Sequence, residues 1–201
     1  MNGKTALHYF RVLAGLDTPQ TQVTNEEHEV LVSYLPGAKK VVEIGVFEGR
    51  TTHLLAECSD DDAVIYGIDP FVAGRVGISW GELIARFYNR RYLASGKIQF
   101  INKLSTAIEV ADISPPVDFL FIDGDHSLDG IVADWTKWRT WVPSGGIIAL
   151  HDTVLTPDKP SGYMLGSIEY FHDHIQHDPD FDVLAQKYSL SVMKKNNSKA
   201  Q

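Results

Sequence analysis

The sequence predicts an α/β fold: a doubly wound, mostly parallel seven-stranded sheet with a C-terminal antiparallel strand and an N-terminal helical cap. Strand-type and helix-type segments alternate from residue 40 onward, which is typical of a parallel sheet covered by helices on both faces. Residues 117–122 form a nearly unbroken apolar run, as expected of a strand buried on both sides. Polar residues follow the strand-type segments, at the edge where ligands bind in such sheets.

The N-terminal residues are predicted to form the helical cap. Apolar residues at helical spacing predict a helix over residues 4–16, and Thr24 is a suitable N-cap for a second helix that extends to Leu35. The cap is suited equally to substrate recognition and to the formation of a homodimer. We expect one domain overall, divided into the cap at 1–37, a ligand-binding domain at 38–195 and a polar tail at 196–201.

The strands and the helices between them follow the cap in order. Apolar runs and β-branched residues predict seven strands at residues 40–45, 63–68, 98–102, 117–122, 147–150, 181–187 and 188–194. Helical periodicity predicts the intervening helices at residues 50–58, 78–94, 105–111, 127–141 and 164–177.

Composition excludes several classes of protein. The net charge of −8 argues against a nucleic-acid-binding protein, because binding to phosphates needs a basic surface. The single cysteine, Cys58, excludes a disulfide framework, and we expect it to be a small core residue. The N-terminus lacks the features of a signal peptide and no apolar run is long enough to span a bilayer. We therefore expect a soluble cytoplasmic protein with no membrane partner.

The first predicted strand leads into a turn with two glycines, Gly45 and Gly49, and then into a helix. Such a turn leaves backbone N–H groups facing open space, where a polar ligand can approach the main chain. The pattern is Glu-x-Gly-x-x-x-Gly and differs from the Gly-x-Gly-x-x-Gly of dinucleotide sites. A nucleoside without phosphates therefore fits better than NAD or FAD.

Asp69 ends the second predicted strand, where an acidic side chain can accept hydrogen bonds from both hydroxyls of a ribose. Taken alone, it is also explained as a turn or helix-cap aspartate. Its position downstream of the glycine turn favours the ribose. Further polar residues lie at the ends of the other strands, so we expect one common site that includes Ser105, Asp123, His126, His151 and Asp152.

Four segments together resemble the class I S-adenosylmethionine-dependent methyltransferases. They are Val41 to Gly49, Tyr66 to Pro70, Phe121 to Ser127 and Gly145 to Thr153. The resemblance covers roughly residues 38–155 and is closest to the small bacterial O-methyltransferases, including macrolide-sugar and cephalosporin-hydroxylase-like enzymes. It implies a Rossmann-like methyltransferase fold and O-methylation of a small hydroxylated acceptor.

The resemblance also implies roles for individual residues. The cofactor S-adenosylmethionine would contact, or be supported by, Glu43, Gly45, Gly49, Asp69, Ser105 and Asp123. A divalent metal ion, Mg²⁺ or Mn²⁺, would be bound by Asp123, His151 and Asp152. Relatives carry a carboxylate at the position of His151, and an imidazole there favours Mn²⁺, Fe²⁺ or Zn²⁺ over Mg²⁺. Two alternatives stay open: His151 supports the metal ligands without binding the ion, or the site holds no metal.

His126 and Asp123 are the predicted catalytic residues. His126 stands where relatives have a general base, and the pKa of an ordinary histidine suits it to take a proton near neutral pH. A polar loop residue without a catalytic part is the alternative for His126. For the whole chain, the alternative is a non-catalytic nucleoside-binding or scaffold protein on the same fold. An NAD-dependent oxidoreductase is a weaker option, because the glycine spacing disfavours it.

Overall fold

A computed structural model describes residues 6–74, 77–156 and 165–197 of the chain. The helices are α1 Ala6–Leu13, α2 Asn25–Ser33, α3 Arg50–Cys58, α4 Trp80–Tyr88, α5 Arg90–Ser95, α6 Leu128–Trp138 and α7 Gly166–Asp173. The strands are β1 Lys40–Ile44, β2 Val64–Ile68, β3 Ile98–Ile101, β4 Phe119–Ile122, β5 Ile147–Leu150, β6 Phe181–Lys187 and β7 Leu190–Lys195. Single 3₁₀ turns lie at Ser105–Ala107 and Ile175–His177.

The strands form one seven-stranded sheet in the order β3-β2-β1-β4-β5-β7-β6. The first five strands in this order are parallel, and β7 runs antiparallel to both β5 and β6. The predicted fold class is therefore confirmed, including the antiparallel C-terminal hairpin. The carboxyl ends of β1, β2, β4 and β5 meet at one edge of the sheet, which is where the predicted site lies.

Apolar side chains cover both faces of the sheet. On one face α6 packs through Trp135 and Trp138 against the strands, and on the other α2 packs through Leu31. Helix α2 thereby joins the same core as the sheet. None of the described helices has the length and hydrophobicity needed to cross a membrane.

Two predicted helices differ from the structure. The helix predicted over residues 78–94 is divided at Asn89, whose side-chain amide donates hydrogen bonds to the carbonyl oxygens of Gly49 and Ala85 at 2.9 and 3.0 Å. This buried amide thus joins α4 to the glycine turn. The helix predicted over 105–111 is only the 3₁₀ turn at Ser105–Ala107.

Other boundaries shift by a few residues. Strand β4 begins at Phe119 and not at residue 117, and α7 ends at Asp173 before a 3₁₀ turn. The predicted starts of the helices at residues 4 and 164 lie outside the described residues, as does most of the tail.

The prediction that Cys58 is a core residue is wrong, because its side chain is exposed. The buried positions of α3 are Thr51, Thr52, Leu55 and Ala56, and that face continues to the buried Ser59. Cys58 is the last residue of α3, and its side chain is exposed at that end of the helix.

Candidate active site

A cavity of about 670 Å³ opens at the carboxyl ends of β1, β2 and β4. Of the predicted site residues, Gly45, Asp69, Ser105, Asp123 and His126 line this cavity. The other four, Glu43, Gly49, His151 and Asp152, are not among the lining residues. The structure therefore brings the predicted residues to one place and separates them into a lining layer and a supporting layer.

The glycine turn contains three residues with positive φ, namely Gly45, Phe47 and Gly49. Gly45 has a φ of +92°, and a Cβ atom at this position would lie 2.0 Å from the carbonyl oxygen of Asp123. Gly49 has a φ of +76° and is the N-cap of α3. A Cβ atom there would lie 2.6 Å from the side-chain nitrogen of Asn89, so Gly49 allows the turn to pack on α4.

Asp69 fastens the glycine turn from the end of β2. Its Oδ2 accepts hydrogen bonds from the backbone N–H groups of Val46 and Phe47 at 3.0 and 2.9 Å. Its Oδ1 accepts one from the N–H of Phe71 at 2.7 Å. Asp69 lines the cavity as well. Through its hydrogen bonds it therefore organises the turn that a bound nucleoside would contact.

Glu43 supports the turn from within the core. Its carboxyl group is fully buried and accepts a hydrogen bond from the hydroxyl of Thr52. Burial raises the pKa of Glu43 well above its ordinary value, and the negative charges of Asp123 and Asp69 raise it further. Burial thus favours the protonated form of this structural group, and the hydrogen bond from Thr52 opposes that effect.

Asp134 is a site residue that our sequence reasoning missed. Its carboxyl group is buried at the cavity wall and accepts a hydrogen bond from the hydroxyl of Ser105. Burial raises the pKa of Asp134, an effect that the hydrogen bond from Ser105 opposes. The available signal was its position on α6, where it shares the inward-facing stripe with Ile131, Trp135 and Trp138.

The cavity wall is strongly acidic. The lining residues carry one guanidinium, that of Arg50. They carry five carboxyl groups, those of Asp69, Asp123, Asp125, Asp129 and Asp134. Such a wall favours a ligand that carries positive charge and disfavours one that carries phosphates.

The N-terminal segment contributes to the cavity wall through Gln20, Thr21 and Gln22. The fully buried carboxylate of Glu48, within the glycine turn, accepts a hydrogen bond from the N–H of Gln20 at 2.6 Å and lies 3.0 Å from His8. The cap is therefore attached to the glycine turn itself.

A cluster of imidazoles and carboxylates lies at the edge of the cavity. Oδ1 of Asp123 is 3.0 Å from Nδ1 of His151 and 3.5 Å from Nε2 of His126. Oδ2 of Asp152 is 3.6 Å from the same His126 nitrogen. The predicted base and the predicted metal ligands thus form one cluster.

This cluster fits a divalent ion. One ligand atom each from Asp123, His126 and His151 lie within 4.8 Å of one another. Nδ1 of His151 is buried and makes no hydrogen bond of acceptable geometry, although Asp123 lies close to it. The predicted ligand Asp152 is not in this group, and its Oδ1 lies 3.9 Å from Nδ1 of His151. Carboxylate and imidazole together are donors that first-row divalent metals such as Mn²⁺, Fe²⁺ and Zn²⁺ accept.

His151 is held on its other side by Glu27 and Ser189, two residues outside the four methyltransferase-like segments of the sequence. Nε2 of His151 lies 3.1 Å from the hydroxyl oxygen of Ser189 and 3.5 Å from Oε2 of Glu27. Burial lowers the pKa of His151, but the carboxylates of Asp123 and Glu27 outweigh burial and raise the pKa to about 10. Without a metal ion, His151 is therefore an imidazolium between two carboxylates.

The metal-free protein is expected to lose stability as the pH rises from 6.5 towards about 10. The folded pKa of His151 lies above its unfolded value, so its contribution is complete below pH 6.5 and is lost as the pH passes through the folded pKa. We expect the free energy of unfolding, measured with urea in EDTA, to fall further over this pH range in the wild type than in His151→Gln. The difference between the two falls should be on the order of 2–4 kcal/mol.

The exposed His172, whose side chain is 76% accessible, provides the control. His172→Gln should keep the pH profile of the wild type. Parallel profiles for the wild type and His151→Gln would contradict the assignment of the proton to His151.

Comparisons with known proteins agree with the fold and the position of the site. A family model described as a methyltransferase domain matches residues 42–153, which is more than half of the chain. Protein R132 of Acanthamoeba polyphaga mimivirus, described as uncharacterized, is 30% identical over 116 residues, or 55% of this chain and 50% of that protein. The chain therefore matches about half the length of this curated relative.

Solved structures are similar over nearly the whole chain. The O-methyltransferase from Bacillus cereus in complex with SAH has a TM-score of 0.68 and 20% identity, covering 98% of this chain and 92% of that one. An rRNA methylase from Streptococcus thermophilus has a TM-score of 0.60 and 15% identity, covering 89% and 99%. At such identities the likeness shows the fold alone. Together with the family match, it shows that this chain belongs to the methyltransferase-domain family and has the class I methyltransferase fold that its motifs resemble.

Proposed function

We propose that the protein is an S-adenosylmethionine-dependent methyltransferase that methylates a hydroxyl oxygen of a small acceptor with the assistance of a divalent metal ion. One observation carries this proposal. The acidic cavity over the glycine turn has the Asp123, His126 and His151 cluster at its edge. The cavity suits a cationic nucleoside, and the cluster suits activation of a hydroxyl group.

The charge of the cavity favours this methyl donor over a dinucleotide. S-adenosylmethionine carries a sulfonium and an ammonium group but no phosphate, whereas NAD carries two phosphates. Five carboxyl groups against one guanidinium give the wall an excess of negative charge. This charge attracts the sulfonium and ammonium groups and repels the phosphates. Asp69 and Gly45 both line the cavity, which supports contacts of Asp69 with the ribose and of Gly45 with the methionine portion.

The proposed reaction is a direct displacement. The acceptor oxygen attacks the methyl carbon, the carbon–sulfur bond breaks, and sulfur keeps the electron pair as a neutral thioether. A divalent ion, held by Asp123, His151 and Asp152, would lower the pKa of the acceptor hydroxyl. The hydroxyl proton passes to Nε2 of His126, which lines the cavity and has the carboxylates of Asp123 and Asp152 within 3.6 Å to stabilise the imidazolium.

The fold does not determine the acceptor, since the similar structures include both an O-methyltransferase and an rRNA methylase. The acidic wall supports a small neutral or cationic acceptor, because the phosphates of RNA would be repelled at the entrance. The resemblance to small O-methyltransferases supports a hydroxyl group as the reacting atom.

S-adenosylhomocysteine is expected to bind the wild type at micromolar concentration in isothermal titration calorimetry, and NAD⁺ is expected not to bind. Asp69→Asn should weaken binding of S-adenosylhomocysteine by about 10- to 100-fold, because the amide cannot accept all the hydrogen bonds that hold the turn and the ribose.

Asp62→Asn is the matched control, since Asp62 is an exposed aspartate that pairs with Lys39. It should bind like the wild type. Failure of the wild type to bind either S-adenosylmethionine or S-adenosylhomocysteine would refute the proposal. Binding without any turnover across a broad panel of hydroxylated acceptors would instead favour the non-catalytic nucleoside-binding protein.

A further inference from the structure

We propose that Glu27 of helix α2 is a positioning residue for the divalent metal ion. Through Ser189 and by direct contact, it fixes the ring of His151 so that Nδ1 is presented to Asp123. The inference rests on the metal-assisted function proposed above. It gives the N-terminal cap a part in the metal site, which none of the motifs of the chain indicates.

The direction of the hydrogen bonds follows from the donors that are available. Oε1 of Glu27 accepts bonds from the N–H and the hydroxyl of Ser189 at 2.9 and 2.8 Å. The single hydroxyl proton of Ser189 is then used, so its oxygen accepts from Nε2 of His151, 3.1 Å away. Nε2 therefore carries a hydrogen, and Nδ1 is the nitrogen left to bind a metal ion.

The position of Nδ1 agrees with this direction. Nδ1 is buried, lacks a hydrogen bond of acceptable geometry and lies 3.0 Å from Oδ1 of Asp123. A histidine that binds a metal through one nitrogen commonly donates the hydrogen of the other to a carboxylate or another acceptor, which fixes the ring and its tautomer. Oε2 of Glu27, at 3.5 Å from Nε2, adds a negative charge on that side.

Burial makes this arrangement rigid. Glu27, His151 and Ser189 are 1%, 3% and 4% exposed, so bulk water cannot replace a missing partner. The three residues come from α2, the end of β5 and the loop before β7. The orientation of His151 therefore depends on docking of the cap and of the C-terminal hairpin against the sheet.

A purely structural role for Glu27 is the competing explanation. Glu27 is also the N3 residue of a capping box with the N-cap Thr24, and its Oε2 accepts hydrogen bonds from the N–H and hydroxyl of Thr24 at 2.8 and 3.0 Å. A capping box uses only these local bonds. It does not explain why the other oxygen reaches Ser189 beside the metal cluster.

The two explanations are separated by Mn²⁺ binding, measured from the free Mn²⁺ signal in electron paramagnetic resonance. Glu27→Gln is expected to weaken Mn²⁺ binding by about 10- to 100-fold, while binding of S-adenosylhomocysteine changes less than about twofold. Ser189→Ala, which removes the hydroxyl between Glu27 and His151, should weaken Mn²⁺ binding at least about fivefold. Thr24→Ala removes the hydroxyl that bonds Glu27 within the cap and keeps the bonds from Oε1 of Glu27 to Ser189. It should lower the melting temperature and leave Mn²⁺ binding within about twofold.

Each outcome decides the inference. Mn²⁺ binding by Glu27→Gln equal to that of the wild type would overturn it, as would equal effects of Thr24→Ala and Glu27→Gln. If Glu27→Gln does not fold, Ser189→Ala decides in its place, and wild-type affinity in that variant overturns the inference. If the wild type binds no Mn²⁺, the metal site and this inference fail together, whereas S-adenosylhomocysteine binding by the same sample would leave the proposed methyl donor standing.

Discussion

Gly45→Ala is expected to lower the free energy of unfolding by about 2–5 kcal/mol and to abolish binding of S-adenosylhomocysteine. Two costs add at this position. An alanine at a φ of +92° is strained by about 1–2 kcal/mol. Its Cβ atom would also lie 2.0 Å from the carbonyl oxygen of Asp123, so the ends of β1 and β4 must separate at a further cost of about 1–3 kcal/mol.

Gly37→Ala provides a matched control for the second cost. Gly37 has a φ of +86°, but a Cβ atom there would have no other atom within 4 Å. Gly37→Ala should lower the free energy of unfolding by the backbone strain alone, about 1–2 kcal/mol, and should keep full ligand binding. Urea unfolding and calorimetry with S-adenosylhomocysteine measure both effects. Equal losses of stability in the two variants would show that the contact with Asp123 is not the cause.

The sheet could be predicted from the sequence because its strands have local signatures. The apolar segment containing Phe119 and the β-branched run at Val41 are buried from both sides, and the structure places them at the centre of the sheet. The break between α4 and α5 could not be predicted in the same way. It depends on Asn89, which the periodicity assigns to a continuous helix and which the structure joins to Gly49, far away in sequence.

The site shows the same division between local and long-range information. Asp69, Asp123 and His126 follow strand ends, so the topology of the fold brings them together. Glu27 has a local explanation as the partner of Thr24, and the capping box does form. Its second set of contacts, to Ser189 and His151, joins three distant segments. No pattern within one segment reports such a contact, and only the folded structure shows that a capping residue also faces the cluster.

Asp123→Asn is expected to reduce methyl transfer by a factor of about 10³ and to weaken Mn²⁺ binding at least about tenfold. Oδ1 of Asp123 lies 3.0 Å from His151 and 3.5 Å from His126, so this one oxygen atom faces both imidazoles. Asparagine keeps the volume of the side chain and removes its negative charge. The loss therefore reports the electrostatic role of the carboxylate and not the creation of a cavity.

The measurement is formation of S-adenosylhomocysteine with the most active compound from a panel of catechols and sugars. Wild-type activity should disappear in EDTA and return more fully with Mn²⁺ than with Mg²⁺, because an imidazole ligand is better suited to Mn²⁺. Asp62→Asn, at an exposed position, should behave as the wild type. Activity that is unaffected by chelation would refute metal assistance.

His126→Gln distinguishes the two roles that its position allows. If His126 is the general base, its replacement should lower turnover by about 10²- to 10⁴-fold and leave Mn²⁺ binding near that of the wild type. As a metal ligand within the same cluster, its replacement would weaken Mn²⁺ binding together with turnover. We expect the first result, because His126 lines the cavity where an acceptor would lie, whereas His151 is buried behind it with its nitrogen facing Asp123.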